Sequence, residues 1–348
     1  MDTQRANAVF AGGGVRGIAF VGAVSIFEEA GYEWQYLAGT SAGAVVASLL
    51  AAGYKAQELR QLMSEVDFQH FAIREEVAKF PVIGPLLSLL GLWGIYSAEG
   101  LERWLAERLA ARGVHTFGDL RVSSGLLGST FAYRLQVIAA DVTRHQLLVL
   151  PRDAPQLGMQ PDTLSVALAV RMSSTIPVFY VPVRVKRDSN DIVVVDGGLI
   201  SNYPVWLFDS ASDPAWPTIG FRLVDTPGPT AYAPPQTFFE FLAALVETSI
   251  QAGEQRDLQA ADAVRTVNIP TLGVKATDFS LSQDTLTKLY ESGRSSAQQF
   301  LAHRDFAHYV RLRRRTEPTA LTPSTEVTVQ THSPTSGPSQ IPAEGGRP

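Results

Sequence analysis

The sequence predicts an α/β protein in which a mostly parallel sheet is covered by helices on both faces. Two observations lead to this prediction. In the front half of the chain, short apolar runs alternate with helical patterns, and glycines separate one from the next. The apolar runs are also continuous rather than interrupted by polar residues, which is typical of parallel strands that are buried on both faces.

The predicted elements follow this order along the chain. We expect strands at residues 8–10, 36–38, 135–140, 192–195, 218–224 and 264–269. We expect helices at residues 18–30, 42–52, 97–112, 238–263 and 282–303. Glycine is the residue that most often ends a helix, and three of the predicted helices end at Gly31, Gly53 and Gly113.

The chain of 348 residues is predicted to form one folded domain followed by a tail. Apolar residues make up 45% of the sequence, which is enough for a large core. The last segment, residues 316–348, is rich in Thr, Pro, Ser and Gly and has no aromatic residue. Such a segment buries too little apolar surface to offset the entropy lost on ordering. We therefore expect a domain over residues 1–315 and a disordered tail over residues 316–348.

Charge and cysteine content exclude several classes of function. The net charge of −5 argues against a nucleic-acid partner and against purely electrostatic anchoring to anionic lipid. The absence of cysteine excludes disulfides, thiolate zinc sites and a cysteine nucleophile.

The N-terminus lacks a charged region followed by an apolar one, so we expect no Sec signal peptide and a cytoplasmic protein. Export by a route that needs no such signal remains open.

The pentapeptide Gly39-Thr40-Ser41-Ala42-Gly43 fits G-x-S-x-G, a serine held on a sharp turn between a strand and a helix. An apolar strand is predicted before it and an alanine-rich helix after it. Small neighbours are required because the turn is strained and larger side chains would collide. The positive N-terminal end of the helix favours negative charge on the serine oxygen. We predict that Ser41 is a nucleophile; the alternative is an N-capping serine in a glycine-rich turn.

A glycine-rich loop, Gly12-Gly13-Gly14-Val15-Arg16-Gly17, follows the first predicted strand. Its backbone N–H groups can point into one concavity, which is an arrangement that binds an oxyanion. The loop also matches the G-x-G-x-x-G fingerprint of dinucleotide-binding proteins, which requires an acidic residue about 20 residues further on. Here the second strand ends in the Ser41 turn instead, so the oxyanion interpretation is favoured. Ile18 stands where a Walker P-loop needs lysine, which excludes that motif.

Asp196-Gly197-Gly198 follows the apolar run at residues 192–195. An aspartate at the end of a buried parallel strand lies at the edge where such sheets place their sites. A serine needs a base to become nucleophilic, and none of the six histidines lies at an obvious strand end. We therefore predict a Ser–Asp dyad in which Asp196 is the base and burial raises its pKa. The alternative for Asp196 is a turn-forming Asp-Gly.

Together these motifs resemble those of the patatin-like phospholipases. The resemblance covers about residues 6 to 305 and includes the four blocks of the family. These blocks are the glycine loop at 12–17, G-x-S-x-G at 39–43, a proline-centred block at 171–179, and Asp-Gly-Gly at 196–198, followed by Asn202-Tyr203-Pro204. The resemblance implies a three-layer α/β/α sandwich, a Ser–Asp dyad, and hydrolysis of acyl esters in membrane lipids, as in phospholipases of the A type.

The same resemblance implies roles for individual residues. Ser41 would attack the acyl carbonyl and Asp196 would take its proton. The backbone N–H groups that would hold the oxyanion are those of Gly12, Gly13, Gly14 and Val15. Arg16 would either contact a lipid phosphate or brace the loop through a salt bridge. The sequence contains no metal-ligand spacing such as H-E-x-x-H, so we expect no metal and no other cofactor.

Two further classes of function remain open. The same dyad would serve a thioesterase, a small-ester esterase or a transacylase, because only the acyl pocket distinguishes these enzymes. The other class is a non-catalytic lipid-binding protein on the same fold. The intact Ser41, Asp196 and glycine loop argue against the second class.

Residues 80–96 form an apolar stretch without any charged residue, and Phe68 and Phe71 upstream could extend the same apolar surface. This stretch suggests how the protein makes contact with lipid. Prolines and glycines interrupt the stretch, which weakens a membrane-spanning helix. The alternatives are an apolar lid or membrane-docking loop near the site, a buried connection, and a true span. Four arginines between residues 311 and 315 are either the solvated end of the last helix or a contact for anionic head groups.

Overall fold

The computed structural model describes residues 4–65, 73–74, 88–89, 91–122, 131–187, 189–209, 216–225, 234–257 and 262–303. Several sequence predictions lie outside these residues. They concern the tail at 316–348, the arginine cluster at 311–315, Phe68, Phe71 and most of the apolar stretch at 80–96. The proposed domain boundary at residue 315 also lies outside them and stays a prediction.

The described strands and helices alternate through the first part of the chain, as predicted. The strands are β1 (Gln4–Phe10), β2 (Tyr32–Thr40), β3 (Ile73–Arg74), β4 (Gly94–Ser97), β5 (Leu135–Asp141), β6 (Gln146–Leu150), β7 (Val178–Tyr180), β8 (Val183–Arg187), β9 (Asn190–Asp196), β10 (Thr218–Val224) and β11 (Thr266–Pro270). The α-helices are α1 (Ile18–Glu29), α2 (Ala42–Ala51), α3 (Ala56–Glu65), α4 (Glu99–Ala110), α5 (Val166–Ser174), α6 (Phe238–Asp257) and α7 (Gln283–His303).

The main sheet has the strand order β11-β10-β1-β2-β5-β9-β8, and β6 also pairs with β5. The strands from β11 to β5 are parallel to one another. Strands β6, β8 and β9 are antiparallel to their neighbours. The prediction of an α/β fold with a mostly parallel central sheet is thus confirmed. One expectation is wrong: Asp196 ends an antiparallel strand, because β9 runs opposite to β5.

The orientation of β9 explains how Asp196 still reaches the site. A strand has two edges, and β6 occupies one edge of β5. The other edge is shared, because β2 pairs with the first half of β5 and β9 pairs with the second half. Thr40 lies opposite Ile138, and Asp196 lies opposite the next residue, Ala139. The last residues of β2 and β9 therefore meet end to end beside adjacent positions of β5.

Apolar side chains cover both faces of this sheet. In β1, Ala8 and Phe10 contribute to the large core under the helices, whereas Val9 points to the opposite face. There a second cluster is covered by the short helical turn Val205–Phe208. Full burial of one large apolar side chain stabilises the fold by about 1.5–3 kcal/mol. Helical segments thus lie on both faces, which agrees with the predicted α/β/α layers.

The end of the apolar stretch at 80–96 belongs to a small second sheet. Its residues 94–96 lie in β4, which pairs with β3 and with β7. The Tyr96 ring packs against Phe179 of β7, with 4.5 Å between ring centroids. Among the described residues, no helix combines the length and the apolar character that a membrane crossing requires.

Candidate active site

Ser41 lies on a strained turn between β2 and α2. Its backbone has φ 53° and ψ −122°, a region that residues with a side chain rarely adopt. The turn is possible because glycines lie two residues before and two residues after Ser41, at positions 39 and 43. A Cβ on Gly43 would lie 2.5 Å from the carbonyl oxygens of Phe10 and Ala11, well inside van der Waals contact. The G-x-S-x-G spacing thus reflects the close approach of this turn to the end of β1.

Hydrogen bonds hold Ser41 in this conformation from both sides. Its carbonyl oxygen accepts from the N–H groups of Ala44 and Val45, at 2.9 and 3.2 Å, in the first turn of α2. Its own N–H donates to the hydroxyl of Ser173 at 2.8 Å. Ser173 is fully buried near the end of α5. No local sequence pattern indicates this role of Ser173, because the contact forms only where α5 packs beside α2.

Asp196 is buried and is held in place by the segment that follows Ser173. Its N–H donates to the carbonyl oxygen of Thr175 at 2.8 Å, and its carboxylate accepts from the N–H of Gly198 at 2.8 Å. The hydroxyl of Ser41 also donates to this carboxylate. Burial raises the pKa of Asp196 to about 7, and the hydrogen bonds from Gly198 and Ser41 oppose the shift without cancelling it. A group that titrates near neutrality is suited to accept and return a proton.

The glycine loop runs beside Ser41, and its amides differ in their partners. The N–H of Gly12 donates to the carbonyl oxygen of Asn202, and the N–H of Val15 donates to that of Ala276, both at 3.0 Å. For Gly13 and Gly14, the described part of the chain offers their N–H groups no acceptor. Of the four amides predicted for the oxyanion, two are thus engaged within the protein and two are free to bind a ligand.

The position of Ala276 also bears on the dinucleotide alternative. A Cβ on Gly14 would lie 2.0 Å from the Ala276 carbonyl oxygen, so the backbone of this segment covers one side of the loop. On the other side, a Cβ on Gly12 would lie 3.5 Å from the Cβ of Ser41. The loop therefore faces the serine at close range. This arrangement favours an oxyanion over a pyrophosphate.

Arg16 braces the glycine loop. Its Nε donates to the carbonyl oxygen of Gly13 at 3.0 Å, and its guanidinium forms a salt bridge with Asp225 at 3.0 Å. A longer contact of 3.4 Å joins it to the carbonyl oxygen of Val274. The Arg16 side chain is 14% exposed. Of the two roles left open for Arg16, the structure favours the salt bridge over contact with a lipid phosphate.

A cleft lined mainly by apolar side chains opens in front of Ser41. The residues around it come from the glycine loop, the Ser41 turn, α2, α3, α4, the end of α5 with the segment after it, β7, and the segment before α7. They are Gly14, Val15, Ser41, Ala42, Val45, Met63, Leu101, Trp104, Ser174, Ile176, Tyr180, Ala276 and Phe279. The apolar character of this lining is suited to an aliphatic chain.

A family model confirms the resemblance inferred from the motifs. The model of the patatin-like phospholipases matches residues 8–209, which is more than half of the chain. The chain therefore belongs to the patatin-like phospholipase family, a family of lipid hydrolases.

Individual relatives extend over most of the chain. The protein YqhO of Bacillus subtilis (strain 168) is 36% identical over 296 residues, which are 85% of this chain and 97% of YqhO. The protein R571 of Acanthamoeba polyphaga mimivirus is 24% identical over 312 residues, covering 86% of this chain and 94% of R571. Among solved structures, VipD from Legionella pneumophila gives a TM-score of 0.49 at 17% identity, covering 87% of this chain and 67% of VipD.

Proposed function

We propose that the protein is a serine acyl hydrolase of membrane lipids, in which Ser41 is the nucleophile and Asp196 the general base. The observation that carries the proposal is the contact between these two residues. A buried carboxylate with a pKa of about 7 accepts a hydrogen bond from a serine on a strained turn. The free amides of the glycine loop and the apolar cleft complete the requirements for acyl transfer.

In the first half-reaction, the Ser41 oxygen attacks the acyl carbonyl carbon while Asp196 takes the hydroxyl proton. The carbonyl oxygen becomes negative, and the N–H groups of Gly13 and Gly14 stabilise it. The positive end of α2 adds to this stabilisation. When the tetrahedral intermediate collapses, the bond to the alcohol breaks. Asp196 returns the proton to the departing oxygen, which leaves Ser41 acylated.

In the second half-reaction, water replaces the alcohol. Asp196 takes a proton from the water as its oxygen attacks the acyl carbonyl carbon. The same two amides hold the second oxyanion. Collapse releases the fatty acid, and Asp196 returns the proton to Ser41. Because one carboxyl group accepts and returns the proton in both steps, a pKa near neutrality serves both directions.

The experiment compares hydrolysis of phospholipid vesicles and of a short p-nitrophenyl ester by wild type, Ser41→Ala and Asp196→Asn. Ser41→Ala should lower kcat at least about 1,000-fold, and Asp196→Asn about 100- to 10,000-fold. The matched controls are Ser48→Ala, further along α2, and Asp191→Asn, at the exposed start of β9. Both controls should retain activity.

The ratio of phospholipid to p-nitrophenyl ester turnover ranks the substrates. A high ratio supports a lipid acyl hydrolase, whereas a low ratio would support a small-ester esterase on the same residues. A folded wild type without turnover on either substrate, and without labelling of Ser41 by a fluorophosphonate, would rule out the proposed dyad.

A further inference from the structure

Ser174 carries a buried hydroxyl that the fold leaves unpaired. The residue is 7% exposed and is the last residue of α5. Within the described residues its Oγ has no hydrogen-bond partner. Buried hydroxyl groups are almost always paired, so an unpaired one in a native fold requires an explanation.

The neighbouring residues show that the missing hydrogen bond is specific to the Ser174 hydroxyl. Ser173 and Thr175 also carry buried hydroxyls, one on either side of Ser174. The Ser173 hydroxyl accepts from the Ser41 N–H at 2.8 Å. The Thr175 hydroxyl donates to the carbonyl oxygen of Arg171 at 2.7 Å. Of three consecutive hydroxyl groups, the fold satisfies the two outer ones and leaves the middle one without a partner.

The unpaired residue lines the cleft in front of the candidate nucleophile. Ser174, Ser41 and Gly14 contribute to the same surface. Most other side chains of this cleft are apolar. An ester that enters the cleft to be attacked by Ser41 brings oxygen atoms into these surroundings, and these oxygens are the acceptors that Ser174 lacks.

We propose that Ser174 is a substrate-binding residue whose hydroxyl donates a hydrogen bond to an oxygen of the scissile ester. This inference rests on the proposed function, because it takes the cleft beside Ser41 as the place where the ester binds. The bond would act beside the Gly13 and Gly14 amides, and no covalent step passes through Ser174. It gives the Ser174 hydroxyl the hydrogen-bond partner that the described residues do not supply.

The substrate-binding role predicts that Ser174→Ala affects activity and stability differently. Ser174→Ala removes an unpaired polar group, so the melting temperature should stay equal to that of wild type or rise. The same variant removes a hydrogen bond to the substrate, so kcat/KM for a p-nitrophenyl ester should fall about 10- to 100-fold. Ser174→Thr keeps the hydroxyl and should retain most of the activity that Ser174→Ala loses.

The adjacent Ser173→Ala variant is the matched control for a structural role. It leaves the Ser41 N–H without its partner, so activity and melting temperature should fall together. If Ser174→Ala behaves in this way, or keeps the kcat/KM of wild type, the inference is overturned. These results leave the proposed function intact as long as wild type is active and Ser41→Ala is not. A wild type as inactive as Ser41→Ala would overturn both.

Discussion

The backbone N–H of Ser41 donates a hydrogen bond to the Ser173 hydroxyl, 2.8 Å away, and both residues are buried. This bond joins the turn after β2 to the end of α5. Two residues further on, the Thr175 carbonyl oxygen accepts from the N–H of Asp196. The end of α5 thus holds the backbones of both proposed dyad residues at once.

Replacing Ser173 by Ala should therefore affect stability as well as activity. The substitution leaves a buried N–H unpaired, which should lower the free energy of unfolding by about 1–3 kcal/mol. Urea unfolding and ester hydrolysis would measure the two effects. Ser64→Ala, at a partly exposed position of α3, is the control and should change neither. Wild-type stability in Ser173→Ala would show that the bond contributes nothing.

The pKa of Asp196 predicts the pH dependence of activity. Only the ionised carboxylate accepts the Ser41 proton, and burial raises its pKa to about 7. We expect kcat/KM to rise as the pH increases through about 7 and then to level off. The measurement is ester hydrolysis between about pH 5 and pH 9, corrected for spontaneous hydrolysis. An inflection near pH 4 would show that Asp196 has the pKa of an ordinary aspartate.

The same pKa predicts how Asp196 affects stability. In the unfolded chain an aspartate has a pKa of about 3.9, so between about pH 4 and pH 7 the folded protein holds a proton that the unfolded chain has released. Wild-type stability should fall as the pH rises through this window, and should change no further from this cause above it. Asp196→Asn should not lose stability in this way, because its amide stays uncharged throughout this pH range.

Thermal unfolding of both proteins at several pH values tests this relation. The melting temperature of Asp196→Asn, relative to wild type, should increase by at least about 2 °C between about pH 5 and pH 8. Asp191→Asn, at the exposed start of β9, should show no such trend. A difference that does not vary with pH would contradict a raised pKa.

Gly43 should tolerate no side chain. In Gly43→Ala the new methyl group would overlap the carbonyl oxygens of Phe10 and Ala11, and backbone cannot easily move away. We expect a loss of about 1–3 kcal/mol in stability and a loss of ester hydrolysis. Gly91→Ala is the matched control, since a Cβ there meets nothing within 4 Å. Full activity in Gly43→Ala would show that the turn can relax.

Substitution of Arg16 distinguishes two roles for this residue, bracing of the glycine loop and binding of a lipid phosphate. If Arg16 positions the glycine loop through Gly13, Arg16→Ala should lower kcat/KM about tenfold for an uncharged p-nitrophenyl ester and for a phospholipid alike. Asp225→Asn removes the salt-bridge partner and should have a smaller effect in the same direction, because Asp225 is largely exposed. A loss confined to the phospholipid would instead identify Arg16 as a phosphate ligand.

Local sequence patterns were sufficient to predict much of the fold and the candidate site. The Ser41 turn was predictable because the glycines that its geometry requires, Gly39 and Gly43, lie within two residues of it in the sequence. The glycine loop was predictable for a similar reason, since its conformation depends on consecutive residues. The strand that carries Asp196 was recognised as a buried apolar run, but its direction was not, because pairing with β5 is a property of distant residues.

Other features depend on tertiary packing and left no local signal. The proline-centred block was recognised as a motif, yet the contacts of Ser173 and Thr175 appear only when α5 lies beside α2 and β9. Likewise, which amides of the glycine loop remain free depends on Asn202 and Ala276, which come from other parts of the chain. Sequence patterns therefore identified the candidate residues, whereas packing decides which of their groups can act on a substrate.

The end-to-end meeting of β2 and β9 along one edge of β5 has a consequence for synthesis of the protein. A ribosome releases the Ser41 turn long before it has made β9, so the growing chain carries the serine without its base. Because the pairing of β9 with β5 joins distant segments, it forms late compared with local helices. For the proposed dyad, a nascent or truncated chain that ends before β9 should thus be inert toward lipids, and hydrolysis requires that β9 has paired with β5.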